Sequence, residues 1–186
     1  MAGFKVTRIS EGPVKPASAT PEETLPLAWV DRYPTHRGLV ESMHIFRSGA
    51  GEAPAVIRAA LAKALVFFYP LAGRIVEGEQ PGRPAIRCTA DGVYFAEAEA
   101  DCSLEDVRFL ERPPAAAQGR PRALPRRRPL ARRAAQHILM MQITKFTCGG
   151  FVMGLRFNHA VGGRHGARGN FFNAVGGHGA GGLAGT

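Results

Sequence analysis

After Glu111 the chain has no aspartate or glutamate at all. Residues 112–186 hold 12 Lys and Arg and a net charge of +12, whereas residues 1–111 hold 12 Lys and Arg against 15 Asp and Glu, a net of −3. No neighbour in sequence can therefore supply a carboxylate to any site in the later part. Cysteine is also scarce. Cys88, Cys102 and Cys148 are an odd number without C-x-x-C spacing, which excludes a disulfide framework and a zinc site and fits a reducing compartment. The three thiols read as small, semi-buried hydrophobes. No apolar run approaches the ~18 residues of a membrane span, so no membrane partner is expected. The opening "MAGFKVTRIS" has no apolar core of a secretory signal. The expected location is cytoplasmic.

A pI near 10.3 ordinarily points to nucleic acid or an anionic surface. Here eight of the twelve later cations fall between Arg112 and Arg133, so the basicity belongs to one segment. That segment, residues 113–135, is built almost wholly of Ala, Pro, Arg and Gly. It has too little apolar surface to order itself and reads as a disordered insert or linker. "RRRPLARR" fits a basic patch, but it lacks the interleaved aromatics of a single-strand binder. The tail, residues 162–186, has 10 glycines in 25 residues. "RGNFFNAVGG" within it has the make-up of one or two helical turns, each interior glycine opposing them by ~1 kcal/mol.

Elsewhere the apolar pattern is globular. "FKVTRIS" alternates with strand period and breaks at the Pro-rich "EGPVKPASATPEE". "TLPLAWVDRYP" is a short strand or loop, His36 lies in turn chemistry, and "VESMHIFRS" is a short strand. The spacing of Val56, Ile57, Ala60, Leu61, Ala64, Leu65 and Phe68 predicts a helix, with Pro54 in its first turn and Arg58 and Lys63 on its other side. Pro70 must end it. "GRIVEG" then starts a strand, and "AIRCTADGVYFAEAEAD" reads as a hairpin turning at Asp91–Gly92. Ser103 with Asp106 three residues later marks a short helix start. His137 precedes "ILMMQITKF", the turn "TCGG" and "FVMGLRFNHAV", a second hairpin whose last strand ends at His159. Met140 and Met141 read as packing, and "GFVMGLRF" as strand core, since it lacks the ending of a phosphate loop. His165 and His178 have no metal-ligand spacing, so no metal is expected.

A helix ending in "YPLAGR" (Tyr69 to Arg74), then strands, then "QHILMMQITKFTCGGFVMGLRFNHAV", resembles the plant BAHD family of acyl-CoA-dependent acyltransferases. The resemblance covers most of residues 4–112 and 136–161. It implies an α/β (α+β) fold of chloramphenicol-acetyltransferase type, a mixed sheet with flanking helices, here in its N-terminal domain only. It also implies acyl-CoA as co-substrate, no permanently bound cofactor, and a small alcohol or amine as acceptor. The family's H-x-x-x-D histidine takes the acceptor's proton, and His159 matches it. An imidazole suits that role because its ordinary pKa of ~6.5 lies near working pH.

Two departures accompany the match. Gly163 stands where the motif has aspartate, a largely architectural carboxylate in the family. The family's second domain, with its D-F-G-W-G motif, is not present. The expected organisation is an acyltransferase-like region (1–112), the Ala/Pro/Arg insert (113–135), a hairpin of the same domain ending at the motif histidine (136–161), and a degenerate Gly-rich tail (162–186). Residues 113–135 and the tail have the composition that GC-rich DNA encodes in a displaced reading frame. The expected function is acyl transfer to a small plant metabolite by descent, with this truncated chain inactive. A non-catalytic interaction fragment and a basic nucleic-acid-associated protein stay open as alternatives, nucleic acid being the less favoured partner. Self-association through exposed apolar surface is also expected.

Overall fold

In the computed structural model, residues 4–27, 39–79, 81–110 and 137–158 are described, together with Phe171 and Val175. Helix α1 (Ala53–Phe67) begins as the spacing predicts, with proline in its first turn. It has no acid in the first turn and no base in the last, so neither end is favoured by the helix dipole. Its stability comes from the buried stripe Ala53, Ile57, Ala60, Leu61, Ala64 and Leu65, spaced three and four apart along one face. Pro70 then turns the chain into a 3-10 segment, Tyr69–Ala72.

Among the described residues there are eight strands: β1 (Val6–Val14), β2 (Glu23–Pro26), β3 (Leu39–Phe46), β4 (Arg74–Glu77), β5 (Pro84–Cys88), β6 (Val93–Ala100), β7 (Leu139–Lys145) and β8 (Phe151–Asn158). They form a five-stranded sheet in the order β1-β6-β7-β8-β3 and a three-stranded sheet in the order β2-β5-β4. Only β6–β7 in the larger sheet is parallel; its other pairs are antiparallel. A parallel neighbour requires a long crossover, here the residues between Ala100 and Leu139. Every residue of β7 but Lys145 is buried, as a central strand covered on both faces demands. Met140 and Met141 are core, in line with their reading as packing.

Alternate residues of the sheet, including Val93, Phe95, Leu139, Met141, Ile143, Leu155 and Phe157, meet the apolar stripe of α1 in the main core. Phe171 and Val175 are helical and buried in that same core. The Phe171 ring stands edge-on to Phe68 at 5.5 Å. Helical structure at these two positions agrees with the reading of "RGNFFNAVGG".

Four local expectations give way to tertiary context. Strand β1 does not break at "EGP" but runs on through Gly12 and Pro13 to Val14. It is an edge strand among the described residues, where a proline removes no ladder bond that the sheet needs. The β5–β6 stretch is not a hairpin, because β5 lies between β2 and β4 while β6 joins the other sheet. The Gly92 amide donates to the Ala72 carbonyl at 3.0 Å, so the Asp91–Gly92 corner serves the "YPLAG" turn instead of closing β5 on β6. Arg58 does not point away from the core side. Its guanidinium lies 4.5 Å from the Phe95 ring centroid and 3.1 Å from Glu97 on β6, a long stem covering apolar surface. Ser103 and Asp106 do form the reciprocal box, with Ser103 N–H donating to Asp106 at 2.8 Å and Asp106 N–H to Ser103 Oγ at 3.1 Å. No α-helix follows: Arg108, Phe109 and Leu110 have φ between 47° and 55°, and the chain makes turns and a short 3-10 segment.

Candidate active-site strand and its supports

Strands β7 and β8 are joined by a turn at Thr147–Gly150 and pair in register from Leu139 opposite Phe157 to Lys145 opposite Phe151. The hairpin reading of "ILMMQITKF" and "FVMGLRFN" therefore holds over the described residues. The last described residue of β8 is Asn158. It is buried at 7% exposure, faces Leu39 of β3, and donates its amide to the Ile138 carbonyl at 2.8 Å. The strand thus delivers its end into the interior between two neighbours. His159, Gly162, Gly163, His165 and His178 lie outside the described residues, as do His36 and residues 113–135.

The "YPLAGR" stretch turns out to be architectural. Tyr69 donates its hydroxyl to Glu23 Oε1 at 2.5 Å, which pushes the phenol pKa up. A Cβ on Gly73 would lie 2.5 Å from the Arg87 carbonyl oxygen, so only glycine lets the turn approach β5 that closely. Arg74 Nη1 donates to the carbonyls of Ala72, Gly73 and Gly92 at 3.3, 2.8 and 2.9 Å. Its Nε sits 3.7 Å from Asp91. Burial lowers the Arg74 pKa and Asp91 opposes this; the group stays a cation throughout the working range.

His137 sits beside this arginine, paired with it through an isolated antiparallel bridge. Its Nδ1 is buried without a hydrogen-bond partner, and its ring meets Tyr94 edge-on at 6.1 Å. Burial first and the Arg74 charge second push its pKa down to about 4, Asp91 opposing. It is a neutral imidazole at neutral pH. Sequence reasoning put His137 at the start of a strand, whereas β7 begins two residues later at Leu139 and His137 forms the isolated bridge to Arg74, which it missed. No local pattern signals it, because 63 positions separate the two residues.

The cysteines separate by environment. Cys88 is buried, Cys102 is half-buried and Cys148 is exposed, so the reading of all three as semi-buried hydrophobes fails at Cys148. That residue sits in the glycine-containing turn between β7 and β8. Among the described residues no group of three or more His, Cys, Asp or Glu side chains is arranged to hold a metal. No described helix is long and apolar enough to cross a membrane.

Comparison with known proteins matches the Transferase family model over residues 4–171. A rice (Oryza sativa subsp. japonica) acyl transferase 9 is 73% identical over 179 residues, covering 95% of this chain and 42% of the relative. A myricetin 3-O-glucosyl 1,2-rhamnoside 6'-O-caffeoyltransferase of Crocosmia x crocosmiiflora is 40% identical, covering 85% and 36%. The crystal structure of vinorine synthase superposes with a TM-score of 0.60 at 21% identity, covering 84% of this chain and 38% of that one. That likeness concerns the fold. It agrees with the expected chloramphenicol-acetyltransferase-like α/β architecture with its mixed sheet. The chain spans less than half the length of these relatives. On the family match and on sequence identity over nearly its whole length, the chain belongs to the BAHD-type acyltransferases of the Transferase family.

Proposed function

We propose that the chain supplies one half of an acyl-CoA-dependent acyltransferase site, with His159 as the ancestral general base, and that alone it turns over no substrate. The observation that carries this reading is the buried end of β8. Asn158 is anchored to Ile138 by a 2.8 Å hydrogen bond, and His159 is the next residue, its Cα ~3.8 Å further along the chain. The residue that precedes this histidine is thus held in a strand paired on both sides.

In the reaction, the imidazole accepts a proton from the acceptor hydroxyl or amine as its oxygen or nitrogen attacks the thioester carbonyl. The C–S bond then breaks, coenzyme A leaves as thiolate, and the proton passes to it. General-base help of this kind is worth ~10²–10⁴-fold, and only with acceptor and thioester held in attack geometry. Coverage of 42% of a 73%-identical relative leaves most of such a protein's surface unsupplied. A thioester bound to half a channel sits in water, where polar contacts are weak. Gly163 in place of the motif aspartate adds a second deficit. The 40%-identical caffeoyltransferase supports an aromatic acyl donor and a hydroxyl acceptor among the candidates. The residue division into 1–112, 113–135, 136–161 and 162–186, and a cytoplasmic location, belong to this proposal.

The test follows free-thiol release from acetyl-, malonyl-, benzoyl- and hydroxycinnamoyl-CoA with a panel of alcohols and amines. The expected result is background rate for wild type and His159→Ala alike. Turnover in wild type that vanishes in the alanine variant would show a complete site and overturn the inactivity.

A second reading, a non-catalytic interaction fragment, is favoured by β3. Leu39, Met43 and Ile45 all lie on one face of it and are exposed.

A further inference from the structure

Cys102 and Cys148 are 46 positions apart yet adjacent in space. Cys102 follows the end of β6, and Cys148 lies in the β7–β8 turn. Two hydrogen bonds cross between their segments in opposite senses. Thr147 N–H donates to the Cys102 carbonyl at 3.1 Å, and Leu104 N–H donates to Cys148 Sγ at 3.5 Å. The charge of one thiolate is felt by the other. We propose that this pair is a thiol–disulfide exchange site, in which Cys148 attacks a small-molecule disulfide and Cys102 resolves the adduct into an intramolecular bridge.

The division of labour follows from the surroundings. Cys148 is exposed, and its sulfur accepts from the backbone amides of Leu104, Gly150 and its own residue. These hold its pKa below that of an ordinary thiol, against opposition from desolvation first and Glu105 second. The thiolate is the attacking species, so Cys148 reacts first. Cys102 is half-buried against Leu104, Phe146 and Val152, and burial together with Asp101 and Asp106 raises its pKa. It is a poor first nucleophile and is already in place for the second step. Cys88 is buried in a different apolar cluster, beside Ile86 and Ile138, and takes no part.

A docking place adjoins the nucleophile. Cys148 lines a cavity of about 290 Å³ together with Arg47, Ser103, Leu104, Glu105 and Phe109. Arg47, with its guanidinium 5.1 Å from the Phe109 ring centroid, lines the same cavity as the thiol. That charge suits a disulfide bearing carboxylates, and oxidised glutathione is of that class. In the first step the Cys148 thiolate attacks one glutathione sulfur, an S–S bond forms, and glutathione thiolate leaves. In the second the Cys102 thiolate attacks Cys148 Sγ, and the second glutathione leaves. Two protein thiols and one glutathione disulfide become one protein disulfide and two glutathione thiols. The bridge ties the β6 end to the β7–β8 turn, and loop closure of this length restricts the unfolded chain.

The experiment equilibrates the full chain with graded ratios of oxidised to reduced glutathione at pH 7.5. Free thiols are then counted under denaturing conditions and disulfides mapped by peptide mass. Wild type is expected to fall from three free thiols to one, with a Cys102–Cys148 cross-linked peptide and a melting temperature higher by roughly 5–10 °C. Cys102→Ser should stop at a glutathione adduct on Cys148, and Cys148→Ser should keep both remaining thiols. Arg47→Ala should slow the reaction with oxidised glutathione several-fold but not that with uncharged hydroxyethyl disulfide. Three thiols retained at every ratio would overturn the proposal. So would a bridge involving Cys88, or a disulfide that forms only between chains. Equal rates of Arg47→Ala and wild type with both disulfides would overturn the docking role of the cavity.

Discussion

Arg74, the first residue of β4, and His137, just before β7, pair across an isolated antiparallel bridge that joins the three-stranded sheet to the five-stranded one. The same arginine ties down the Ala72, Gly73 and Gly92 carbonyls. The side chain thus holds the turn after α1 and the corner before β6, while the backbone of the same residue pairs at the junction of the sheets. That junction lies one residue from Ile138, the partner of Asn158 at the end of β8.

Arg74→Ala should therefore destabilise the fold by about 2–4 kcal/mol, since hydrogen bonds from a charged donor to half-buried carbonyls are among the stronger ones. Arg74→Lys should recover less than half of this, because an ammonium cannot reproduce the guanidinium fork. Urea unfolding of the three proteins checks both. An alanine variant as stable as wild type would mean that the carbonyls are satisfied without it.

Acid should unfold the protein in a window set by His137. In the unfolded chain an imidazole takes up its proton near pH 6.5, whereas in the fold it does so only near pH 4. Between these values the unfolded chain binds more protons, so stability rises with pH. The contribution is fully present above pH 6.5 and is lost as the pH falls to about 4. Below that, Glu11 adds a second loss, because the Tyr94 hydroxyl holds its carboxyl below the usual range. Urea midpoints measured from pH 7.5 to 4 should fall steadily in wild type. His137→Phe, which leaves the backbone bridge in place, should flatten the upper part of the curve. A wild-type midpoint constant down to pH 4.5 would contradict this.

Self-association should run through β3. It is an edge strand among the described residues, and Leu39, Met43 and Ile45 lie exposed along one face. Val40 points the other way, into the main core. Long apolar edges of this kind template pairing with another chain. Light scattering at micromolar concentration should show oligomers, and the double variant Met43→Lys/Ile45→Lys should reduce them sharply. A wild type that stays monomeric up to 100-fold higher concentration would rule β3 out.

Restoring the motif carboxylate should not restore activity. Gly163→Asp repairs one residue, whereas the chain spans 42% of the rice relative, and orientation within a closed site accounts for ~7–11 kcal/mol of such catalysis. Thiol release by the variant should stay at background. A measurable rate that also requires His159 would show the carboxylate to be the larger deficit.

Helix α1 and the β7–β8 pair were legible in the residues alone. Their signals are local: a three- and four-residue apolar spacing beside Pro54 and Pro70, and two apolar runs about a Gly–Gly turn. His159, the residue after Asn158, was singled out only through resemblance, since a lone imidazole has no pattern of its own, and it lies outside the described residues. What local pattern could not decide was partnership. "TADG" carries ordinary hairpin chemistry, but Gly92 bonds to Ala72 and Arg74 instead, and β5 and β6 part into different sheets. Arg58 looked solvent-facing from its helical phase, and the ring of Phe95, distant in sequence, draws it inward. Cys102 and Cys148 gave no spacing that marks a pair, and the turn joining β7 to β8 brings them together. Periodicity records how each segment meets water and core, whereas pairing depends on contacts between segments far apart in the chain, which only the packed structure selects.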